Sequence, residues 1–416
     1  MQKIAGIKNN SVVQNRPHIF IIHHYMWPDE SPTSRLFSDL AFFLSQLGCH
    51  VSVFSTQERY ILQLANLSKE ESFKGVRFLR ARGGTGFRKG AAARLLAGFF
   101  LLFKWLLLSL RTSSAELVIV GTDPPFSVWL GALLKKIRKT KSLILWSMDV
   151  YPDAIIADGL AGENDFRTRF ARLLNKWALS HCDGIVDLGV CMRRRITVDK
   201  EPFVRETISP WAPYEAESHL RDKETNRLRS ELFDQAKIGL IYSGTLGCAH
   251  DLSLFIRLSL ELRELSDSVS TVISSHGPNF VKLKSHILSQ KIPIKCLNYE
   301  PGENYVSRLK AADFHLVSVK KEWTGIVVPS KFFASLAVGR PVIAAVDNAS
   351  CLAMICQKYD IGWVLNGDNL AKVKEGLKHM LAHPDRLLSW QKHVIEIYRK
   401  HFSRNVGLRK WANLLR

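Results

Sequence analysis

Along most of the chain, short apolar runs alternate with longer stretches in which apolar residues return every third or fourth position. The first run, 18–24 (HIFIIHH), leads into the polar loop YMWPDESPTSR. A helix follows with Leu36, Leu40, Phe43 and Leu47 on one face, started by Ser31-Pro32 and stopped by Gly48. The run at 51–55 reads as the next strand. Strand, helix and strand at this spacing make a βαβ unit, which demands a parallel sheet and a right-handed crossover. Further strands are expected near 76–80, 117–121, 143–147, 184–188 and 205–209. A second series runs through 238–243, 271–275, 294–298, 314–319, 342–345 and 362–365.

The pattern predicts an α/β protein of two Rossmann-like, doubly wound parallel-sheet domains. Ligands of such sheets bind at the carboxyl ends of the strands, which makes a cleft between the domains the expected site. Residues 1–16 read as a mobile polar leader, 17–212 as the first domain and 213–236, highly charged, as a linker. The second domain spans 237–398, and 399–416 form a C-terminal helix expected to return to the first domain.

The stretch 77–111 departs from this regularity. It opens with Arg77, Arg80, Arg82, Arg88, Lys89 and Arg94 and continues LLAGFFLLFKWLLLSLR. A membrane-spanning helix needs about 20 mostly apolar residues. Arg94 and Lys104 interrupt this one, each costing about 2.5–3.5 kcal/mol at the bilayer centre. A helix lying in the membrane interface fits better, with Arg88, Lys89, Arg94, Leu101, Leu102, Trp105 and Leu106 as its contact set. The βαβ pattern equally requires a buried crossover helix here, and the two roles are compatible.

Composition narrows the classes. The chain has 416 residues, 46% hydrophobic and 23% charged, which is globular and long enough for two domains. A formal net charge of +20 implies attraction to polyanions, either nucleic acid or an anionic membrane. Seven scattered cysteines with no CxxC pair suggest neither a metal site nor a disulfide framework, and fit a reducing cytosol. The first residues, MQKIAGIKNNSVVQNRP, contain no signal-peptide core.

Candidate chemistry concentrates in four segments. In 322–345 (EWTGIVVPSKFFASLAVGRPVIAA), Pro329 begins a helix whose first amides, at Ser330 and Lys331, would favour an anion. This is either a diphosphate cradle or an ordinary capped core helix. The loop 242–251 (YSGTLGCAHD) places Gly244 and Gly247 after a strand, where backbone can approach a phosphate. His250 there could donate to a phosphate or sugar, or simply be solvated. The turn His276-Gly277-Pro278 ends the next strand, and all three loops lie at carboxyl ends of strands in the second half. In the first half, WSMDVYPD puts Asp149 after a strand, as either a ligand for a sugar hydroxyl or a turn acid. No HExxH, GxSxG, Walker or GxGxxG pattern is present.

Together, Tyr242-Ser-Gly-Thr-Leu-Gly with His250-Asp251, Trp146-Ser-Met-Asp-Val-Tyr-Pro-Asp, Asp187-Leu-Gly-Val-Cys-Met, Trp211-Ala, and Val327-Val-Pro-Ser-Lys with Gly339-Arg-Pro form a recognisable set. Over about residues 18–405 the chain resembles bacterial GT-B glycosyltransferases of family 4, in the branch that builds O-antigen, capsule and exopolysaccharide. The resemblance implies a retaining transferase that needs neither metal nor covalent cofactor. It would move a hexosyl or N-acetylhexosaminyl group from a nucleotide sugar, UDP- before GDP-, to a polyprenyl-diphosphate-linked acceptor. It implies a cytoplasmic enzyme resting on the inner face of the plasma membrane. Lys331 and Ser330 would hold the donor diphosphate, bordered by Gly244, Thr245 and Gly247, with Glu322, Thr324 and Gly325 nearby. His276, Gly277 and Pro278 would form the base pocket. Asp149 and His250 would contact the reacting sugars, and Ser34 and Arg35 the substrate from the first domain.

The chain departs from the family pattern at several positions. The two glutamates spaced EX7E in many members fall at Ile326 and Ala334. The basic pair of the glycine loop is Thr245 and His250, and Met148 replaces a histidine. A GT-B nucleotide-sugar 2-epimerase is the nearest alternative enzyme, and a nucleic-acid-binding protein would also account for the charge. No nucleic acid is expected as partner, because the basic residues cluster beside a leucine-rich helix and not among exposed aromatics.

Overall fold

The computed structural model describes residues 16–60, 67–83, 91–199, 201–298 and 305–416. The chain forms two compact units. The first is Met1–Ser209 with Ile326–Val328 and Gly407–Arg416, and the second is Pro210–Gly325 with Pro329–Val406.

The first unit is built on β1 (His18–Ile22), β2 (His50–Thr56), β3 (Glu70–Phe73), β4 (Val76–Ala81), β5 (Ala115–Val120), β6 (Thr140–Trp146), β7 (Gly184–Asp187) and β8 (Val204–Thr207). Their spatial order is β3-β4-β2-β1-β5-β6-β7-β8. All neighbours are parallel except β3 and β4. The apolar pattern does not predict β3. Its sequence EESF lacks an apolar run, and it forms because Lys74 and Gly75, at φ 49° and 76°, turn the chain back onto β4.

The helices of this unit are α1 (Pro32–Gln46), α2 (Ala91–Arg111), α3 (Ser127–Lys136), α4 (Asp153–Ala157), α5 (Phe166–Ser180) and α6 (Val190–Arg195). Ser31 caps α1 by accepting from the Ser34 amide, Pro32 sits in the first turn, and Gly48 at φ 88° follows the end. Residues Gly407–Arg416 contribute Trp411, fully buried against Trp146 with ring centroids 5.0 Å apart.

The second unit has six parallel strands: β9 (Ile238–Ser243), β10 (Val269–Ser275), β11 (Ile294–Asn298), β12 (Phe314–Ser318), β13 (Val342–Ala345) and β14 (Gly362–Val364). Their order is β11-β10-β9-β12-β13-β14. Relative to sequence this is 3-2-1-4-5-6, the doubly wound arrangement whose ligand crevice opens where the order reverses, between β9 and β12. The inner six strands of the first sheet follow the same order, with the reversal between β1 and β5.

Around the second sheet lie α7 (Lys223–Phe233), α8 (Ser253–Glu261), α9 (Pro278–Ser289), α10 (Tyr305–Ala311), α11 (Ser330–Ala337), α12 (Cys351–Tyr359), α13 (Leu370–Ala382) and α14 (Pro384–His401), and α15 (Arg404–Leu415) ends the chain. The expected linker, 213–236, contains α7, so its second part is a packed element. Leu228, Leu232 and Phe233 sit in a core cluster with Ile241, Val272, Ala311 and Ala312. The charged majority of α7 faces outward and concealed this stripe.

The expected membrane contact set needs a correction. Leu101, Leu102 and Trp105 are buried, with Trp105 Nε1 donating to the Ser55 carbonyl at 2.8 Å. They face inward because α2 crosses from β4 to β5 and packs on β2 and β4. Leu106 is half-buried, Arg94 is exposed, and Arg88 and Lys89 lie outside the described residues. The outward face of α2 is instead Leu96, Phe99, Phe100, Phe103, Leu107 and Leu110, all exposed. By length and composition Ala93–Arg111, at mean hydropathy 1.8, could also cross a membrane.

Candidate active site

In the second unit, β9 is followed by Gly244 at φ 116°, a left-handed conformation that favours glycine. A Cβ at this position would stand 3.0 Å from Cε of Lys331. The backbone therefore favours glycine here, and a larger residue would also press on the lysine passing beside it. Lys331 comes from the first turn of α11, which Pro329 precedes as N-cap. Its side chain runs back across the end of β9. Nζ donates to the Tyr242 hydroxyl at 2.5 Å and the Thr245 carbonyl at 2.7 Å, and meets His250 Nε2 at 3.2 Å. It also stands 4.3 Å above the Tyr242 ring.

The tautomer of His250 follows from its partners. Nδ1 lies 2.6 Å from the Ser318 carbonyl, which can only accept, so Nδ1 carries the proton and Nε2 accepts from Lys331. Burial first, then the Lys331 charge, lowers His250 to about 4, and the ring is neutral at neutral pH. Burial also lowers Lys331 to about 7. Its three partners are neutral acceptors and none is a carboxylate. The positions that carry paired glutamates in many relatives of the resembled family are buried Ile326 and Ala334.

The neighbouring loops join this cluster. Ser275 donates to the Gly244 carbonyl at 2.8 Å, Thr245 Oγ1 lies 3.3 Å from His276 Nε2, and Asn279 donates to the Leu246 carbonyl at 3.3 Å. Thr245 is exposed, as are His276, Gly277 and Pro278, while Gly247 has open space where a Cβ would be. Ser330 is half-buried in the first turn of α11, where the leading amides of a helix lack intrahelical partners. Glu322 is exposed on a short turn after β12, followed by half-buried Thr324 and by Gly325 at φ 78°. The structure thus brings Lys331, His250, Gly244, Thr245 and His276 together at the crevice between β9 and β12. Apolar patterning missed Tyr242. It is the fully buried penultimate residue of β9, and only the fold shows that its hydroxyl holds the lysine.

The Gly339-Arg340-Pro341 segment supports the site from beneath. Arg340 is fully buried, and its guanidinium donates to the carbonyls of Lys310, Ala312 and His219 at 2.7–2.8 Å. Gly339, at φ 71°, cannot carry a Cβ without meeting the Gln391 carbonyl at 2.9 Å.

In the first unit, Asp149 follows β6. Its amide and that of Met148 donate to Thr122 Oγ1 at 3.0 and 3.1 Å, and its backbone bridges to Val327. Burial first, then the charge of Asp123, raises its carboxyl to about 7. Asp123 accepts from His24 Nδ1 at 3.0 Å. Burial pushes Asp123 up, but His24 outweighs that and holds it below the usual carboxylate range. Asp149 lines a cavity of about 440 Å³ with Thr122, Tyr151, Asn175, Lys176 and Arg195. Ser34 and Arg35 stand apart from it. Ser34 is fully buried and donates to the Asp29 carbonyl, and Arg35 pairs with Glu30 at 2.8 Å. Among the described residues no group of three His, Cys, Asp or Glu is placed to hold a metal ion.

Two Rossmann-like units built on parallel sheets with these strand orders have the fold of GT-B glycosyltransferases, and solved structures share it. Over 96% of its length the chain superposes on sucrose-phosphate synthase of Thermosynechococcus elongatus, covering 98% of that chain, with TM-score 0.72 at 12% identity. WaaG, a glycosyltransferase involved in lipopolysaccharide biosynthesis, gives TM-score 0.65 at 14% identity, over 95% of this chain and 99% of its own. Anabaena HepE in complex with UDP-glucose gives 0.66 at 11%, over 96% and 99%. In sequence, the chain is 24% identical over 277 residues to the putative colanic acid biosynthesis glycosyl transferase WcaI of Escherichia coli. It is 22% identical over 287 residues to the probable glycosyltransferase WbjE of Pseudomonas aeruginosa. These matches cover 64% and 67% of this chain; the first spans 66% of WcaI, just under two thirds, and the second 70% of WbjE. No family model matches the chain.

Proposed function

We propose that the chain is a retaining glycosyltransferase that moves a sugar from a nucleotide donor to a saccharide acceptor in bacterial surface polysaccharide synthesis. One observation carries this reading: the Lys331 ammonium lies beside the first turn of α11 and over the glycine loop of β9. A diphosphate there would receive the lysine charge, the helix-terminal amides at Ser330 and Lys331, and the Ser330 hydroxyl. All three are in place before negative charge grows on the departing nucleotide, so they stabilise the transition state more than the ground state. Among the described residues no acid pairs with Lys331, so it would supply much of that stabilisation, and the reading asks for no metal.

The diphosphate takes over the lysine from its resting acceptors. Nζ leaves the Thr245 carbonyl while His250 and Tyr242 keep it from swinging into solvent. In the first unit, Asp149, poised near neutrality, would accept the proton of an acceptor hydroxyl. The acceptor we propose is a polyprenyl-diphosphate-linked sugar, which suits the basic charge and the exposed apolar stripe of α2. Those same features support a site of action on the cytoplasmic face of the membrane, with α2 in the interface and without nucleic acid as partner. HepE has been captured with UDP-glucose, and a UDP-sugar is the donor we favour.

Calorimetric titration with UDP, GDP and dTDP tests the donor site. One nucleoside diphosphate should bind, with affinity reduced at least thirtyfold in Lys331→Ala at unchanged melting temperature. Equal binding by wild type and variant would remove the diphosphate role from Lys331.

A further inference from the structure

The outward face of α5 is apolar and unusually bare. Phe166, Phe170 and Leu173 are 83%, 52% and 63% exposed at helical spacing, and the two phenylalanine rings stack on each other at 6.4 Å. Residues at i, i+4 and i+7 form one stripe on a helix, so these three make a single surface. Arg167 and Arg169 flank it and are exposed, and Lys176 is exposed one turn further on. The helix itself contains no acidic residue.

This face lies in the same layer as the exposed stripe of α2. Phe99 of α2 meets Trp129 of α3 at 5.8 Å between centroids, and Trp129 Nε1 donates to Asn175 of α5 at 2.6 Å. The order α2, α3, α5 therefore covers one side of the first sheet, as right-handed crossovers require. At about 8–10 Å per helix step, the two apolar stripes stand roughly 20 Å apart. The helices α2, α3 and α6 also contain no acidic residue, while Arg94, Lys104 and Arg111 are exposed along α2. The nearby acids are Asp165, the exposed N-cap of α5, which accepts from the Gly162 amide at 2.6 Å, Glu163, which pairs with Arg172, and Asp199, which pairs with Lys176.

We propose that α5 is a second membrane-insertion element, and that α2 and α5 together form a two-point footprint on an anionic lipid bilayer. This rests on the membrane-surface reading above and deepens it. Charge selects the occupant. A second copy of this chain would bring the same predominantly basic face against itself, whereas anionic headgroups neutralise its excess charge while the acyl region takes the phenylalanines. Two separated insertion points also fix orientation, because a single amphipathic helix leaves the protein free to rotate about its axis.

The test is co-sedimentation with vesicles of phosphatidylcholine alone or with about one third phosphatidylglycerol. Wild type, the α5 variant F166S/F170S/L173S and the α2 variant L96S/F100S/F103S are compared. All six positions are surface residues. The charge variant R167E/R169E serves as a second α5 probe that leaves the apolar surface intact. The expected result is at least tenfold weaker partitioning of the α5 variant into anionic vesicles, at least threefold weaker for R167E/R169E, and little binding of any form to phosphatidylcholine. Wild-type partitioning by both α5 variants overturns the proposal while leaving an α2 contact standing. Wild-type self-association that the α5 variant abolishes, with vesicle binding unchanged, overturns it in favour of a dimer. Nucleoside diphosphate affinity, measured on the same samples, reports separately on the transferase reading and should not move.

Discussion

Both units reverse strand order at the middle of a mainly parallel sheet, and each places a half-buried titratable group at the carboxyl ends of its strands. They do so with opposite charge. In the first unit Asp149 is raised to about 7 by burial and by Asp123. In the second, Lys331 is lowered to about 7 by burial, among neutral acceptors. Desolvation disfavours whichever form is charged, so one physical cause drives an acid up and a base down to the same pH. What distinguishes them is the neighbourhood. The acid keeps a second carboxylate nearby, which holds its proton on. The lysine keeps Tyr242 and His250, which orient it without neutralising it, so its charge remains available to an incoming anion.

The largest expected effect tests the lysine side. Lys331→Ala should lower kcat/KM for sugar transfer by about a thousandfold, the scale of losing a donor aimed at a developing oxyanion. A loss below tenfold would make the two sides equivalent. Next, Asp149→Asn should lower kcat by about a hundredfold while leaving nucleoside diphosphate affinity unchanged. A change in that affinity would assign the acid to the donor instead.

A smaller effect comes from pH. Above pH 7 the empty site holds a neutral lysine, and the diphosphate must recruit a proton. The dissociation constant should therefore rise by up to tenfold per pH unit above about 7, and flatten in Lys331→Arg. Stability carries the matching sign. Lysine ordinarily titrates at 10.5 and here at about 7, so the folded chain binds fewer protons between those values and gains stability as pH rises through them. Lys331→Met should raise the melting temperature by about 2 °C or more at pH 6 and by less at pH 10. Asp149 runs the other way. Its folded value is raised from 3.8, so stability declines between about pH 4 and 7, and Asp149→Asn should remove that decline. The smallest expected effect is that of EDTA on the transfer rate, which should stay within twofold. A collapse would mean that a metal, and not Lys331, carries the diphosphate.

Much of this arrangement was legible in residue order. The two series of apolar runs predicted the two parallel sheets, because strands covered by helices on both faces must be apolar and evenly spaced. The Pro329-Ser330-Lys331 turn and the glycines at 244 and 247 marked the candidate site that the fold brings together, since helix starts and phosphate loops have local chemistry. Legibility failed where local pattern and environment diverge. β3 is polar because it is a partly exposed edge strand, and α7 hid three buried apolar residues, Leu228, Leu232 and Phe233, in a charged sequence. In α2 the leucine-rich sequence showed an apolar helix but not its sides. Leu101, Leu102 and Trp105 turned out to serve the core and Phe100 and Phe103 the surface, because nearly every position is apolar and period alone cannot select a face.

The sequence by itself determined the fold class, the order of strands and helices, and which loops gather at the ends of the strands. These follow from periodicity and from backbone rules that act over a few residues. Only the tertiary structure decided that Tyr242 and His250 hold Lys331, that Asp149 shares its surroundings with Asp123, and that α5 bares Phe166 and Phe170 in the same helix layer as α2. Each of those depends on which side chains, far apart in the chain, are withdrawn from water together. Burial of that kind is a property of the packed molecule, and it sets the charge states on which the proposed chemistry depends.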